Sequence, residues 1–237
     1  FKKIILSTKV ISISRRAKYI LINLSNNKTI IIHLGMSGRI ILTSNNKNSK
    51  FKHTHMSLYF KNNLIAKFID PRRFGCILLF DTKAISKNRL FIHLGLEPLS
   101  KQFNPNYLER SCQNKKASIK SVIMNQSIVV GIGNIYASES LFRSGINPKR
   151  KAFNITYEQC VQLVKNIKFV LNRAIKLGGS SINDYSMADG MLGYFQNEHK
   201  VYEREGKNCS KKTCNGRILR IVIAQRSTYY CSQCQKN

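Results

Sequence analysis

Apolar residues in the first third of the chain come in short, β-branched runs at 4–13, 19–24, 29–34, 39–42, 56–60, 64–69 and 76–80. Turn-forming clusters such as Ser25-Asn26-Asn27 and Thr43-Ser44-Asn45-Asn46 separate them. Strands of this length with turn signals between them predict an antiparallel sandwich or barrel. Pro98 and the polar stretch 100–106 read as a linker, beyond which the hydrophobic period lengthens toward that of a helix. The clearest helix spans 157–177, where Cys160, Leu163, Val164, Ile167, Val170, Leu171, Ala174 and Ile175 form one apolar stripe. Thr156 with Gln159 makes a capping box at its start, and Gly178-Gly179 supplies a stop. Further helices are predicted at 118–125 and 134–142, and a hairpin at 217–224 and 227–230. The pattern is that of an α+β chain with strands first, helices second and a short cysteine-bracketed end.

Composition narrows what such a chain does. Of 237 residues, 40 are Lys or Arg and 11 are Asp or Glu, a formal net charge of +29, while 43% are hydrophobic. That apolar content is enough for a real core and excludes a mainly disordered tail protein. Basic residues spread along the whole length predict a polyanionic partner, nucleic acid or an anionic membrane, with a generally adhesive basic surface as the alternative. No apolar run approaches the roughly 18 residues of a spanning helix, which sets the membrane aside. Phe1-Lys2-Lys3-Ile4-Ile5-Leu6 gives way to Ser7-Thr8-Lys9 too soon for a signal peptide. The chain opens inside an apolar run without an initiator Met, and we expect a segment to precede Phe1. Cys76, Cys112 and Cys160 stand alone, whereas Cys209, Cys214, Cys231 and Cys234 crowd near the end, unlike a secreted disulfide framework.

Cys209-x4-Cys214 and, sixteen residues on, Cys231-x2-Cys234 offer four thiolates in two close pairs. Each pair can take two corners of a tetrahedron around a zinc ion, with the intervening hairpin bringing the pairs together. Four protein ligands leave no open position, so the ion is structural, and its binding supplies folding energy to a segment too short to bury a core. Lys211, Lys212, Arg217, Arg220 and Arg226 make this module basic and suit it to resting on phosphates.

Other stretches carry candidate chemistry. Gly131-x-Gly133 precedes a helix, but Tyr136 stands at the third glycine of the dinucleotide fingerprint and no βαβ unit surrounds it. A helix-hairpin-helix, with amides at the following helix start binding a phosphate, is the better reading. Met36 lies between Gly35 and Gly38, and Arg72 and Phe74 point the same way if Asp70-Pro71-Arg72-Arg73-Phe74-Gly75 is extended. Met36 and Phe74 suit the gap left when a base leaves its stack, and Arg72 the hydrogen bonds lost with it. Arg15-Arg16-Ala17-Lys18-Tyr19 is a basic turn whose Lys18 can contact phosphate or protonate a leaving oxygen. His53-x-His55 lacks a third ligand nearby, which ranks phosphate contact above a metal. Taken singly, each stretch also fits an ordinary turn, a core residue or a solvated face.

Together these residues resemble one family, bacterial formamidopyrimidine-DNA glycosylase. The matching stretches are RRAKY from Arg15, HLGMSG from His33, DPRRFG from Asp70, HLGLEPLS from His93, VVGIGNIYASESLF from Val129 and AQRSTYYCSQCQK from Ala224. The related endonuclease VIII branch is less similar, since the Met-bearing loop belongs to the purine-specific branch. The resemblance implies a two-lobed α+β protein: an antiparallel β-sandwich (1–96), a helix-two-turn-helix domain (97–204) and a zinc finger (205–237), with DNA across the cleft between lobes. It implies base excision of oxidised purines from double-stranded DNA, chiefly 8-oxoguanine and formamidopyrimidines, followed by nicking of the abasic site, in a monomer with one structural zinc ion, in the cytoplasm on the nucleoid. By resemblance Lys18 is the proton donor of β-elimination and Arg226 acts in δ-elimination. His53, Arg72, Lys115 and Asn134 fall on DNA contacts, and Met36, Arg72 and Phe74 on the void-filling triad. Cys209, Cys214, Cys231 and Cys234 are the zinc ligands.

The departures are specific. The family's chemistry depends on the secondary amine and carboxylate of an N-terminal Pro followed by Glu, and this sequence opens on Phe1-Lys2, which by the resemblance we expect to lie several dozen residues further on. A normal lysine such as Lys18 is protonated at neutral pH and would need a strongly lowered pKa to replace the amine. The first zinc pair is x4 where x2 is usual. Met191-Leu192 occupy the lesion-capping loop 186–194 where many relatives have Lys-Pro, and Ser121 and Asn125 replace commoner Pro and Asp. Two alternatives follow: a non-catalytic damaged-DNA binder of the same fold, and a zinc-ribbon RNA-binding protein, which leaves the ordered loop motifs unexplained.

Overall fold

The polar break Ser7-Thr8-Lys9 decides how the chain starts. The computed structural model describes residues 1–44, 51–180 and 193–236. In it the run 4–13 is not one strand. Lys2–Ile5 form a single helical turn (α1), Thr8 Oγ1 donates to the Ile5 carbonyl at 2.7 Å, and Ser7 takes a left-handed φ of 59°. Seven strands follow: β1 Val10–Arg16, β2 Tyr19–Leu24, β3 Lys28–His33, β4 Arg39–Ser44, β5 Thr54–Tyr59, β6 Leu64–Ile69 and β7 Cys76–Asp81. They make two antiparallel sheets ordered β1-β2-β3-β7 and β4-β6-β5. Leu24, Ile30 and Ile32 of one sheet and Phe68 of the other share a buried cluster, so the sheets pack as a sandwich. β3 lies inside its sheet with Ile30, Ile31 and Ile32 all buried, which is why its run is continuous rather than alternating. β1 is an edge strand, and Ile11 and Ile13 on it are exposed.

The helical part begins inside the stretch read as a linker. Asn104 Oδ1 accepts from the Tyr107 amide at 2.9 Å, Pro105 fills a first-turn position where an amide would go unused, and α2 runs Pro105–Cys112. Phe103, just before the cap, is wholly buried. Pro and Asn here are helix-start signals and not a flexible tether. Ser118 caps the short α3 (Ile119–Ile123), and α4 spans Asn134–Arg143. α5 covers Tyr157–Lys176 with the expected reciprocal box: the Thr156 amide donates to Gln159 Oε1 at 3.1 Å, and the Gln159 amide to Thr156 Oγ1 at 3.3 Å. Its stripe from Cys160 to Ala174 is buried, but Ile175 is 66% exposed and falls off the face. Phe103, Leu108, Ile119, Ile123, Leu141, Leu163 and Ile167 lock these helices into one core. The terminal hairpin pairs β8 (Ile218–Ile223) with β9 (Arg226–Cys231).

The chain divides into two compact units, Phe1–Ile92 with Leu177–Gln196, and His93–Lys176 with Asn197–Asn237. The first boundary therefore precedes the expected 96/97, and 177–196 group with the strands. The terminal hairpin belongs to the helical unit, because Phe142, Val201, Ile218 and Cys231 form a shared buried cluster. Among the described residues no helix is long and apolar enough to cross a membrane. Phe103→Ala is expected to cost about 3–5 kcal/mol of stability, measured as a lowered denaturant midpoint; an unchanged midpoint would restore the linker reading.

Candidate nucleic-acid interface

In the β unit two glycine-bearing loops interlock around one carboxylate. Asp70, 1% exposed, accepts the Ser37 hydroxyl at 2.6 Å on Oδ1 and the Gly75 amide at 2.7 Å on Oδ2. The Arg72 amide in turn donates to Ser37 Oγ at 3.1 Å. Burial by itself would raise the Asp70 carboxyl, but these hydrogen bonds outweigh it and hold the group below its ordinary value. The loops approach so closely that a Cβ on Gly35, which has φ +65°, would lie 2.7 Å from the Gly75 nitrogen. On this frame Met36 and Phe74 are 69% and 59% exposed, so neither is a core residue. The Arg72 guanidinium lies 5.0 Å from the centre of the Phe74 ring. The pair meets through a turn, since Arg73 is left-handed at φ 56°, and not along an extended segment.

The two histidines diverge. His55 Nε2 lies 2.8 Å from the Asp70 carbonyl, whereas His53 is exposed, left-handed at φ 62°, and accepts the Asp70 amide on its own carbonyl at 3.0 Å. Lys18 is exposed at the tip of the two-residue hairpin Ala17-Lys18 between β1 and β2. Ala17 takes a left-handed φ of 52° there, and its carbonyl receives Arg15 Nη1 at 2.8 Å. His33 sits near Lys18; burial first, then the Lys18 charge, lowers its pKa, and its Nδ1 accepts the Gly35 amide at 3.0 Å.

In the helical unit the Gly131-x-Gly133 hairpin leads into α4 with Gly133 as its cap, and the space beside both glycines is open. Asn134, expected as a phosphate contact, has both ends of its side chain engaged within the protein. Its Oδ1 accepts Lys120 Nζ at 2.5 Å and its Nδ2 donates to the Ser227 carbonyl at 2.8 Å. Lys120 is 1% exposed and donates also to Thr228 Oγ1 at 2.6 Å. Burial, then the nearby Arg226 charge, pushes its pKa down to about 8. Arg226 itself is exposed at the β8–β9 turn, where Ala224 and Gln225 are both left-handed. Lys115 is exposed before α3. Glu139 of α4, 3% exposed, accepts the backbone amides of Lys200, Val201 and Tyr202, tying α4 to the segment that enters the hairpin module. Sequence reading missed Asp70, Lys120 and Glu139 as organising groups; a charge inside a short loop or helix carries no sign of burial. Residues 186–192 of the lesion-capping loop, Met191-Leu192 among them, lie outside the described residues.

Cys209, Cys214, Cys231 and Cys234 bring four Sγ atoms within 4.8 Å of one another, the one such cluster among the described residues. Cys209 and Cys234 are 3.6 Å apart and Cys214 and Cys231 3.7 Å, each pairing one thiol from either arm. A tetrahedron with bonds of about 2.3 Å has edges of about 3.8 Å, so the spacing fits zinc, and it is far too long for a disulfide. A Cβ on Gly216 would meet Cys231 Sγ at 2.8 Å, so only glycine fits beside the ligands. The longer x4 spacing is thus accommodated.

Family models match in chain order: the formamidopyrimidine-DNA glycosylase N-terminal domain over 1–77, its H2TH domain over 94–186, and a zinc finger found in FPG and IleRS over 209–237. A formamidopyrimidine-DNA glycosylase of Klebsiella pneumoniae is 45% identical over 227 residues, covering 96% of this chain and 82% of that protein. One of Salmonella schwarzengrund is 45% identical, covering 97% and 83%. The Lactococcus lactis Fpg complex with abasic-site DNA superposes with TM-score 0.90 at 31% identity, covering 100% of this chain and 85% of that one. The MutM (Fpg) protein of Thermus thermophilus gives 0.85 at 33%, covering 96% and 83%.

Two measurements check this site. Cys231→Ser is expected to release the zinc ion and weaken duplex binding; retained metal would show that the thiolates are not its ligands. His199, buried beside the Glu139 clamp, is pushed down to about 4 by burial. Its contribution to stability is complete above the unfolded value of about 6.5 and is lost as pH falls toward 4. The melting temperature is expected to fall between pH 7 and 4.5, and less steeply in His199→Gln; identical slopes would refute the assignment. The ordered motifs, the four-thiolate centre and these matches over nearly the whole of this sequence agree that the chain belongs to the formamidopyrimidine-DNA glycosylase family.

Proposed function

We propose that this protein is a base-excision DNA glycosylase with AP lyase activity, removing oxidised purines such as 8-oxoguanine and formamidopyrimidines from duplex DNA and cutting at the abasic site left behind. The observation that carries this reading is the Asp70-centred frame, which holds Met36, Arg72 and Phe74 outward on a rigid support while relatives of the same fold are solved on abasic and Fapy-dG DNA. A base rotated out of the duplex leaves a gap and an unpaired partner. Met36 and Phe74 fill the gap and Arg72 faces the orphaned base; His53, Lys115 and the amides preceding Asn134 take phosphates.

The lyase half is elimination from an iminium at the sugar C1′, formed when the N-terminal secondary amine on which the family's chemistry depends bonds to C1′ and the base leaves. The iminium acidifies the C2′ hydrogens, and loss of one expels the 3′ phosphate. Lys18, exposed at its hairpin tip, is the proton donor of this β-elimination, and Arg226, at the finger turn, serves the second elimination that expels the 5′ phosphate. DNA as substrate places this work in the cytoplasm, on the nucleoid.

The protein expressed from its whole reading frame should be trapped covalently by borohydride on an 8-oxoguanine duplex. Binding without trapping would favour the non-catalytic damaged-DNA binder. Lys18→Ala is expected to slow abasic-site cleavage by about 10²–10⁴-fold with duplex affinity retained, and Arg226→Ala to leave the β-elimination product uncut further. Unchanged cleavage in Lys18→Ala would remove its role.

A further inference from the structure

Away from these residues the helical unit carries three consecutive cations, Lys149-Arg150-Lys151, beside an open concavity of about 750 Å³ that Phe153 and Asn154 also line. Their backbone is pinned. The Lys149 amide donates to Asn147 Oδ1 at 3.0 Å, the Arg150 carbonyl accepts the Ile119 amide at 2.8 Å, and Lys151 bridges to Ser118. The Ala152 amide then donates to the Ala117 carbonyl at 2.9 Å and the Phe153 amide to that of Lys115 at 3.3 Å, which sets Lys115 and Lys116 alongside. The side chains are held too. Lys149 Nζ lies 5.8 Å from the centre of the Tyr230 ring, Lys151 Nζ 5.8 Å from that of Phe153, and Arg150 Nε donates to the Asn154 carbonyl at 3.1 Å. Among the described residues no carboxylate pairs with any of the three.

We propose that Lys149, Arg150 and Lys151 form an additional phosphate-binding surface, continuing from Lys115, that takes the backbone of duplex DNA beyond the lesion contacts. The surface rests on the proposed action on duplex DNA and adds to it. Cations fixed on a pinned backbone lose little freedom on meeting a phosphate. Phosphate contact is favoured over base stacking because the aromatic faces that a single strand would stack on are already occupied by Lys149 and Lys151.

The test is fluorescence anisotropy of the full chain on an undamaged duplex across a salt series. Lys149→Gln/Lys151→Gln spares the Arg150 bond and is compared with Lys165→Gln/Lys176→Gln, exposed lysines of α5 that change the charge equally. The slope of log affinity against log salt should shrink by about 2 in the first variant and by well under 1 in the second. Equal slopes in the two variants, with zinc content and melting unchanged, overturn the surface. A loss confined to single-stranded probe and reproduced by Phe153→Leu also overturns it, in favour of a stacking site. Failure of the parent chain to bind duplex at all overturns the proposed function, and the surface with it.

Discussion

A charge taken out of water is tolerable only when the protein replaces its hydration with fixed partners, and this fold is arranged around three such replacements. Asp70 is met by Ser37 and Gly75, Lys120 by Asn134 and Thr228, Glu139 by three consecutive amides. Asp70 and Glu139 are met from loops that have no regular structure of their own, whereas Lys120 is met by the first residue of α4 and by β9. Between the loops carrying Met36 and Phe74, the Asp70 carboxylate joins Ser37 to Gly75. Removing one partner would leave a buried charge exposed to nothing, which is far costlier than the bond itself.

The same logic explains how a zinc-bearing hairpin acts as part of the helical unit. The metal fixes the hairpin internally, but its attachment to α4 depends on Lys120, Glu139 and Gln235, whose Nε2 donates to the Ile146 carbonyl at 2.8 Å while its Oε1 accepts the Cys231 amide at 2.9 Å. Arg226 therefore sits at the end of a chain of bonds that begins in α3. The Arg226 charge adds to burial in lowering the pKa of Lys120.

Much of this was legible in the residues. The stripe and capping box of α5 are local signals that agree with each other, and the four cysteines need only spacing. The strands of the sandwich were legible because burial on one or both faces writes a period into the sequence. What failed were places where a local signal has two meanings. Asn104-Pro105 reads equally as a turn or a helix start, and the buried Phe103 beside it was the neglected evidence. The run at 4–13 hid a break because Ser7-Thr8-Lys9 is shorter than the windows in which periodicity is judged. Lys120 was invisible for a different reason: its burial is produced by Thr228, more than a hundred positions away, and no pattern near Lys120 records that.

Among the described residues, four acids are turned inward or matched. Asp70 and Glu139 are buried in internal bonds, Glu198 grips Arg173, and Asp81 holds Lys28 at 2.6 Å. With 40 lysines and arginines against 11 acids, the net field of the chain is strongly positive. Such a field holds a polyanion without fixing its register, so the protein can shift along a duplex while remaining attached. The consequence concerns recognition: under the proposed function, affinity drawn from phosphates carries no sequence information, so discrimination falls to the few side chains held on the Asp70 frame.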